Sequence, residues 1–210
     1  RILPKPLIPI VDRSIMEVII DKFREFEIEK FHISLFNKSK LIKAYIEELN
    51  PPYEVEYLEE KKPLGTVGVL YQLKDKVKDS LILTNCDTVI NCNYKDLVDF
   101  HNKNNYDITL VGSMINYVIP YGICEIESEG KLVNLKEKPE YSYLVSTGMY
   151  VIRQTALEYI PKNEPFNMPD LINIVRENEG AVGVYPISEK SWLDTGEWKE
   201  YKKTLKQLSL

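Results

Sequence analysis

The sequence predicts an α/β domain: a mixed, mostly parallel sheet flanked by helices, with a β-rich insertion. Three observations predict it. From residue 14 to about residue 114, helix-patterned and strand-patterned segments alternate, as in a parallel sheet covered on both faces. Leu81-Ile82-Leu83-Thr84 is a short, unbroken apolar run, expected of a strand buried on both sides. Beyond residue 120 the alternation gives way to an antiparallel hairpin and a further strand. The 210 residues suffice for one large domain with a sizeable core.

Taken in order, Pro4, Pro6 and Pro9 exclude a helix from the first ten residues and favour an extended strap. Ser14-Ile15-Met16-Glu17 is a capping box opening a helix to about Glu27, with Ile15, Val18, Ile19, Phe23 and Phe26 mostly on one face. A strand follows over 31–36. A helix over 39–49 carries the apolar Leu41, Ile42, Tyr45, Ile46 and Leu49 and stops at Pro51-Pro52; a strand over 53–58 comes next. The turn 63–68 leads into a helix over 69–77, then the strand 81–84, a helix over 94–102 and a strand over 107–114. The hairpin pairs 121–127 with 131–137 around Ser128-Glu129-Gly130. A strand over 145–152, helices over 154–160 and 169–178, a strand over 181–186 and a closing amphipathic helix over 197–208 complete the chain. No repeat or linker divides it, so residues 1–210 are taken as one domain.

Composition narrows the function. Hydrophobic residues make up 44% and charged residues 28%, ordinary for a globular domain. A net charge of −5 advertises no basic surface, which argues against nucleic acid as partner. No apolar run reaches the roughly 18 residues of a membrane span, and no signal peptide is visible. Cys86, Cys92 and Cys124 show no paired spacing and are expected to be reduced, buried thiols in a cytoplasmic protein.

Five stretches can carry chemistry. Asn85-Cys86-Asp87 closes the apolar strand, and Asp194 follows Trp192-Leu193. An acid at a strand exit faces the crevice where open α/β sheets bind ligands. Two such acids brought together suit Mg²⁺, which takes a few carboxylates plus substrate phosphate oxygens. Each Asp could instead be an ordinary helix cap or turn residue. Lys5, pinned between Pro4 and Pro6, is aimed in a way that suits phosphate, although a surface lysine fits the spacing equally. In Pro63-Leu64-Gly65-Thr66-Val67-Gly68 the glycines allow backbone N–H groups to approach a ligand, or simply serve a loop-to-helix turn. Tyr121-Gly122 and Glu137-Lys138-Pro139 combine a hydroxyl acceptor with an ammonium, or form an exposed charged turn.

Together with Pro4-Lys5-Pro6-Leu7 and Ser146-Thr147-Gly148-Met149-Tyr150, these stretches resemble, in order and spacing, the sugar-phosphate nucleotidyltransferase family. The resemblance covers essentially the whole chain. It implies a Rossmann-like nucleotidyltransferase fold and a reaction of an NTP with a sugar 1-phosphate, giving an NDP-sugar and pyrophosphate. It implies Mg²⁺ held by Asp87 and Asp194 and phosphate stabilisation by Lys5. Leu64, Gly65, Thr66, Gly68 and Asp87 would serve the nucleotide; Tyr121, Gly122, Glu137, Lys138, Thr147 and Gly148 the sugar phosphate. The P-L-G-T form and P-K-P-L-I-P-I look most like guanylyltransferases acting on mannose-, heptose- or glucosamine-type 1-phosphates, hence GTP and surface-glycan or nonulosonic-acid biosynthesis. The alternative within the fold is a non-catalytic sugar-nucleotide-binding module. The sequence departs from the family pattern in three places. The Gly-rich loop and its strand are missing before Arg1, so the chain is expected to be cut from something longer, with CBS modules possible upstream, and to fold poorly alone. Cys86 stands where relatives have Gly, and Asn91 and Asn93 occupy a stretch that in relatives often carries another acid. A homo-oligomer is possible.

Overall fold

The computed structural model describes residues 3–194, the side chain of Asp194 excepted. The expected closing helix over 197–208, with Thr195 and Gly196, lies outside the described residues.

The capping box forms as written. Ser14 Oγ accepts from the Glu17 amide (3.3 Å), and Glu17 Oε2 accepts from the Ser14 amide (2.9 Å). It starts helix α1 (Ile15–Arg24) just after a minimal ladder, β1 (Pro9–Ile10) against β2 (Arg13–Ser14). The α1 face of Ile15, Met16, Ile19, Ile20 and Phe23 is buried. Strand β3 (Lys30–Leu35), helix α2 (Ser39–Leu49) and strand β4 (Glu54–Glu59) make a parallel β-α-β unit.

The main sheet has the order β11–β7–β10–β5. Its members are β5 (Ser80–Leu83), β7 (Ile108–Val118), β10 (Glu140–Arg153) and β11 (Val182–Ile187). Strand β11 pairs parallel with β7, and β10 pairs antiparallel with both β7 and β5. Three strands therefore run one way and β10 alone opposes them. Helix α3 (Tyr94–Lys103), α4 (Gln154–Leu157) and α5 (Met168–Glu177) pack around this sheet. One core lies beneath α4 and α5, centred on Ile108, Ile152, Leu157 and Leu171. A second joins α1 and α3 to the sheet through Phe23, Tyr94, Leu97 and Val151, with the Phe23 and Tyr94 rings stacked at 4.5 Å. A third fills the space between α1, α2 and the β3–β4 pair.

The insertion is the expected hairpin, β8 (Ile123–Ile126) with β9 (Leu132–Lys136), mounted on the long antiparallel ribbon that β7 and β10 form beyond the core. Both ribbon strands outrun the expected 107–114 and 145–152, because cross-strand pairs such as Tyr117 opposite Tyr141 continue the ladder after burial ends.

Three further expectations are corrected, and one strand was not foreseen. The segment after Gly65 is a 3₁₀ helix, Gly68–Leu73, not an α-helix over 69–77; Leu70 and Leu73 bury together, as i,i+3 side chains do when three residues make a turn. Strand β5 is half-buried rather than buried on both faces, since among the described residues it pairs only with β10. A three-residue strand, β6 (Thr88–Ile90), follows Asp87 and pairs antiparallel with β12 (Trp192–Asp194). The cysteines are free, but Cys86 and Cys124 are exposed and Cys92 half-buried: Cys86 lies on the loop after β5, and Cys124 on a hairpin with no core beneath it.

Candidate active site

In place of the expected extended strap, Lys5 begins a short 3₁₀ turn, Lys5–Leu7, which tolerates Pro6 in its first turn. The turn is closed by the Leu7 amide on Pro4 O and the Ile8 amide on Lys5 O, both 3.1 Å. Leu7 is buried in the third core, which anchors the strap to α1. The Lys5 ammonium meets Asp87 Oδ2 at 2.5 Å. The Asp87 side chain is only 14% exposed, so this carboxylate is largely withdrawn from water.

Asp87 sits between β5 and β6. It does not cap the following helix, because Asn93 Oδ1 does so, accepting from the Lys95 and Asp96 amides at 3.0 and 3.1 Å. Asp194 is registered opposite Thr88, the residue next to Asp87, and the Asn91 amide bonded to Ser191 O (2.8 Å) extends that pairing. The ladder thus joins the residue after Asp87 to Asp194, over a hundred positions away in the chain. Asp87 carries the kind of hard oxygen donors that Mg²⁺ takes, and the ladder brings the Asp194 backbone opposite its neighbour Thr88. Among the described residues no cluster of three or more His, Cys, Asp or Glu adds to them.

The loop's other wall is β10. Between Ser146, opposite Gly112, and Tyr150, opposite Leu110, the register shifts in a bulge. Thr147 is buried there and donates to Val111 O (2.9 Å); Ser146 Oγ lies 3.0 Å from the Tyr150 hydroxyl. Gly148 has φ +83°, and a Cβ on it would stand 2.4 Å from Asn85 Nδ2. Backbone conformation and the close approach of Asn85 therefore both demand glycine. Desolvation, then the neighbouring Asp87 carboxylate, pushes the Cys86 thiol up to about 11, against the pull of Lys5. Cys86 is exposed as a residue, so that desolvation acts on its sulfur rather than on the loop as a whole.

The remaining predicted residues form two separate groups. Gly122 and Glu137 meet at the root of the β8–β9 hairpin, where a Cβ on Gly122 would lie 3.0 Å from Glu137 Oε2. Tyr121 is 74% exposed beside them, and Lys138 takes a left-handed φ of +43°. From Glu140 to Ser146, roughly 20 Å of strand at about 3.3 Å per residue separates this root from the bulge. The glycine loop is committed inward: the Val67 and Gly68 amides both donate to Phe166 O (3.1 Å), and the Thr66 amide donates to Asn167 Oδ1 (3.3 Å). Thr66 Oγ1 accepts from the Met168 amide (2.8 Å), and Leu64 is buried. Those amides are taken; Gly65, at φ +76°, and Thr66 are the exposed residues at the loop's tip.

Sequence reasoning missed the Asn85–Gly148 contact and the anchor at Phe166 and Asn167. The first depends on sheet register, which no local pattern encodes. The second had one local signal, the Asn167-x-x-Asp170 spacing of a helix start, realised as the Asn167 amide donating to Asp170 Oδ2 (3.1 Å).

A family model described as Nucleotidyl transferase matches residues 1–209. The chain is 28% identical over 167 residues to the "Bifunctional protein GlmU" of Methanococcus maripaludis strain C7, covering 77% of this chain but 38% of that protein. It is 23% identical over 171 residues to the D-glycero-alpha-D-manno-heptose 1-phosphate guanylyltransferase of Campylobacter jejuni, covering 81% of this chain and 76% of that one. The crystal structure of HddC from Yersinia pseudotuberculosis, complexed with GMP-PN, superposes with a TM-score of 0.77 at 19% identity, covering 98% of this chain and 90% of that one. The fold and the family match together establish that this chain belongs to the nucleotidyl transferase family, among the sugar-phosphate nucleotidyltransferases.

Proposed function

We propose that the protein transfers a nucleotidyl group from an NTP to a sugar 1-phosphate, releasing pyrophosphate. The observation that carries this is the pairing of Lys5 with Asp87 at the exit of β5, with Asp194 in register opposite the next residue, Thr88. The attacking group in this reaction is already an anionic phosphate oxygen, so no general base is needed, and alignment with charge neutralisation supplies the rate. Lys5 brings a point charge to the phosphates. Asp87 and Asp194 would hold Mg²⁺, which supplies charge neutralisation at the phosphate oxygens. Gly148, packed against Asn85, forms the wall beside Asp87 where the acceptor's phosphate would react.

The base we propose is guanine. The similar Campylobacter protein is named a guanylyltransferase, and the similar Yersinia structure holds GMP-PN. A uridylyltransferase of Synechocystis is also similar, at 20% identity, so base choice is the part the test must decide. The product fits surface-glycan or nonulosonic-acid synthesis, in the cytoplasm where NTPs are made.

The test is pyrophosphate release by the full-length protein from each of four NTPs, with a panel of hexose, hexosamine and heptose 1-phosphates and Mg²⁺. GTP with one of these is expected to react. Asp87→Asn is expected to lower the rate roughly 10²-fold, about 3 kcal/mol, with an unchanged circular dichroism spectrum. No pyrophosphate from any pairing overturns the proposal.

A further inference from the structure

The glycine loop turns the amides of Thr66, Val67 and Gly68 inward, so a molecule resting on its exposed tip is met largely from outside the loop. The neighbour at that tip is the segment leading into α5, which is clamped to the loop by backbone and side chain alike. The Phe166 amide donates to Leu64 O (2.9 Å), and Phe166 O accepts from the Val67 and Gly68 amides. Asn167 Oδ1 accepts from the Thr66 amide (3.3 Å), and Thr66 Oγ1 accepts from the Met168 amide (2.8 Å). Further back, the Tyr71 hydroxyl donates to Asn163 Oδ1 (2.7 Å).

This clamp orients the Asn167 carboxamide atom by atom. An amide N–H faces one end of it, so that end is the oxygen; the other end is the NH₂ group, which can only donate. The backbone is held as well, the Asn167 amide donating to Asp170 Oδ2 (3.1 Å) at the start of α5. A Cβ on Gly65 would stand 2.7 Å from Asn167 Oδ1 and 2.6 Å from Phe166 O, so the carboxamide lies against the bare Gly65 backbone. Gly65, Thr66 and Asn167 are all exposed, and among the described residues nothing accepts from Asn167 Nδ2.

A surface asparagine ordinarily turns freely and spends its donors on water. Asn167 is held by its oxygen, so little rotamer freedom is left to lose when its other end is used. Gly65, with no side chain, lets a ligand come close to the same spot. A pre-aimed donor and a flat, open approach therefore meet at one point of the loop.

We propose that Asn167 is a substrate-binding residue, its NH₂ group donating to an uncharged acceptor of the molecule that rests on Gly65. This rests on the transferase reading above, in which both substrates offer such acceptors: the nucleotide through its base and ribose, the sugar 1-phosphate through its hydroxyls. An uncharged carboxamide is matched to these groups rather than to the phosphates, which suit the Lys5 ammonium. The glycine loop thus supplies the floor of the subsite, and the segment before α5 supplies its polar contact.

Steady-state pyrophosphate release by the full-length protein, with KM measured for each substrate, tests this through Asn167→Asp. Aspartate has the same shape, keeps an oxygen for the Thr66 amide, remains a good first residue for α5 and removes only the NH₂ group. KM for one substrate is expected to rise roughly tenfold, the effect of one lost uncharged hydrogen bond, with kcat and the melting temperature nearly unchanged. Which KM moves identifies the substrate that the NH₂ group meets. Asn163→Asp puts the same charge on the same segment, keeps the acceptor for Tyr71 and is expected to leave both KM values as they are. In about 1 M salt, which screens an added exposed charge, the ratio of variant to unmodified KM is expected to persist. Unmodified KM values in Asn167→Asp overturn the proposal, as does a loss that salt abolishes or that Asn163→Asp reproduces. Absence of pyrophosphate from the unmodified protein is a failure of the transferase reading instead. Calorimetric titration with the same NTPs and sugar 1-phosphates then decides: a roughly tenfold weaker Kd in Asn167→Asp supports the proposal, and equal affinity, or no binding by either protein, overturns it.

Discussion

Lys5 and Asp87 are paired half in and half out of water: the lysine side chain is 47% exposed and the aspartate 14%. A pair with one exposed member contributes little to stability, about 0–1 kcal/mol. Lys5→Ala is therefore expected to leave the melting temperature nearly unchanged while lowering pyrophosphate release roughly 10²-fold, the scale of one lost preorganised charge. Equal loss of stability and activity would make Lys5 a structural tie instead. Gly148→Ala should behave oppositely. It places a Cβ against Asn85 at positive φ and is expected to cost about 1–3 kcal/mol by denaturant titration, and adding Asn85→Ala relieves the clash but not the φ strain. A Cys86 thiol pushed to about 11 is also expected to alkylate slowly at neutral pH despite its exposed position, which mass spectrometry of iodoacetamide-treated protein would show. At this scale the approach of Lys5 to Asp87 was legible because motif order singled out both residues. The Asn85–Gly148 contact was not, since it exists only once β5 and β10 are in register.

Among the elements, those with chemical punctuation were legible. The capping box of α1 is one, and Ser14→Ala is expected to lower stability by about 1 kcal/mol in thermal melts. The glycine loop is a different case. Its composition suggested a surface for ligand, whereas the amides of Thr66, Val67 and Gly68 are spent on the segment before α5. Thr66→Val removes the acceptor for the Met168 amide at the start of α5 and is expected to cost roughly 1–3 kcal/mol, the price of a stranded donor. Strand β6 was illegible because three residues carry no period, and its existence depends on a partner strand about a hundred residues away. The ribbon's length was illegible for a related reason: beyond the core its strands alternate nothing between inside and outside.

At the scale of the molecule, α3 is fixed to the sheet by His101, which is fully buried. Its Nδ1 lies 2.8 Å from Thr109 Oγ1 on β7 and its Nε2 3.4 Å from Ser80 Oγ on β5. Desolvation, then the positive Arg153, holds the imidazole below its ordinary 6.5, and desolvation moves His32, the only other histidine, the same way despite Glu56. The unfolded chain takes up protons near pH 6.5 while the folded one resists. Stability is therefore complete above that pH and falls as acid carries the solution down towards the folded-state values. Urea midpoints are expected to drop between pH 7.5 and 5.5, and His101→Gln is expected to flatten part of that slope. The alternation of elements made the layered architecture legible in the sequence, but not the strand order, which rests on β10 running against its neighbours.

That single reversed strand has a practical outcome. Val118 faces Glu140 across the ribbon, and the Ile119 amide bonds to Pro139 O at 3.0 Å, so the chain leaves and returns at one point. Residues 120–138 form a cassette with adjoining ends. A two-residue reverse turn in their place would preserve every core contact and delete Tyr121, Gly122, Glu137 and Lys138 together. The projecting arm is therefore exchangeable between relatives without redesigning the floor where Lys5 meets Asp87.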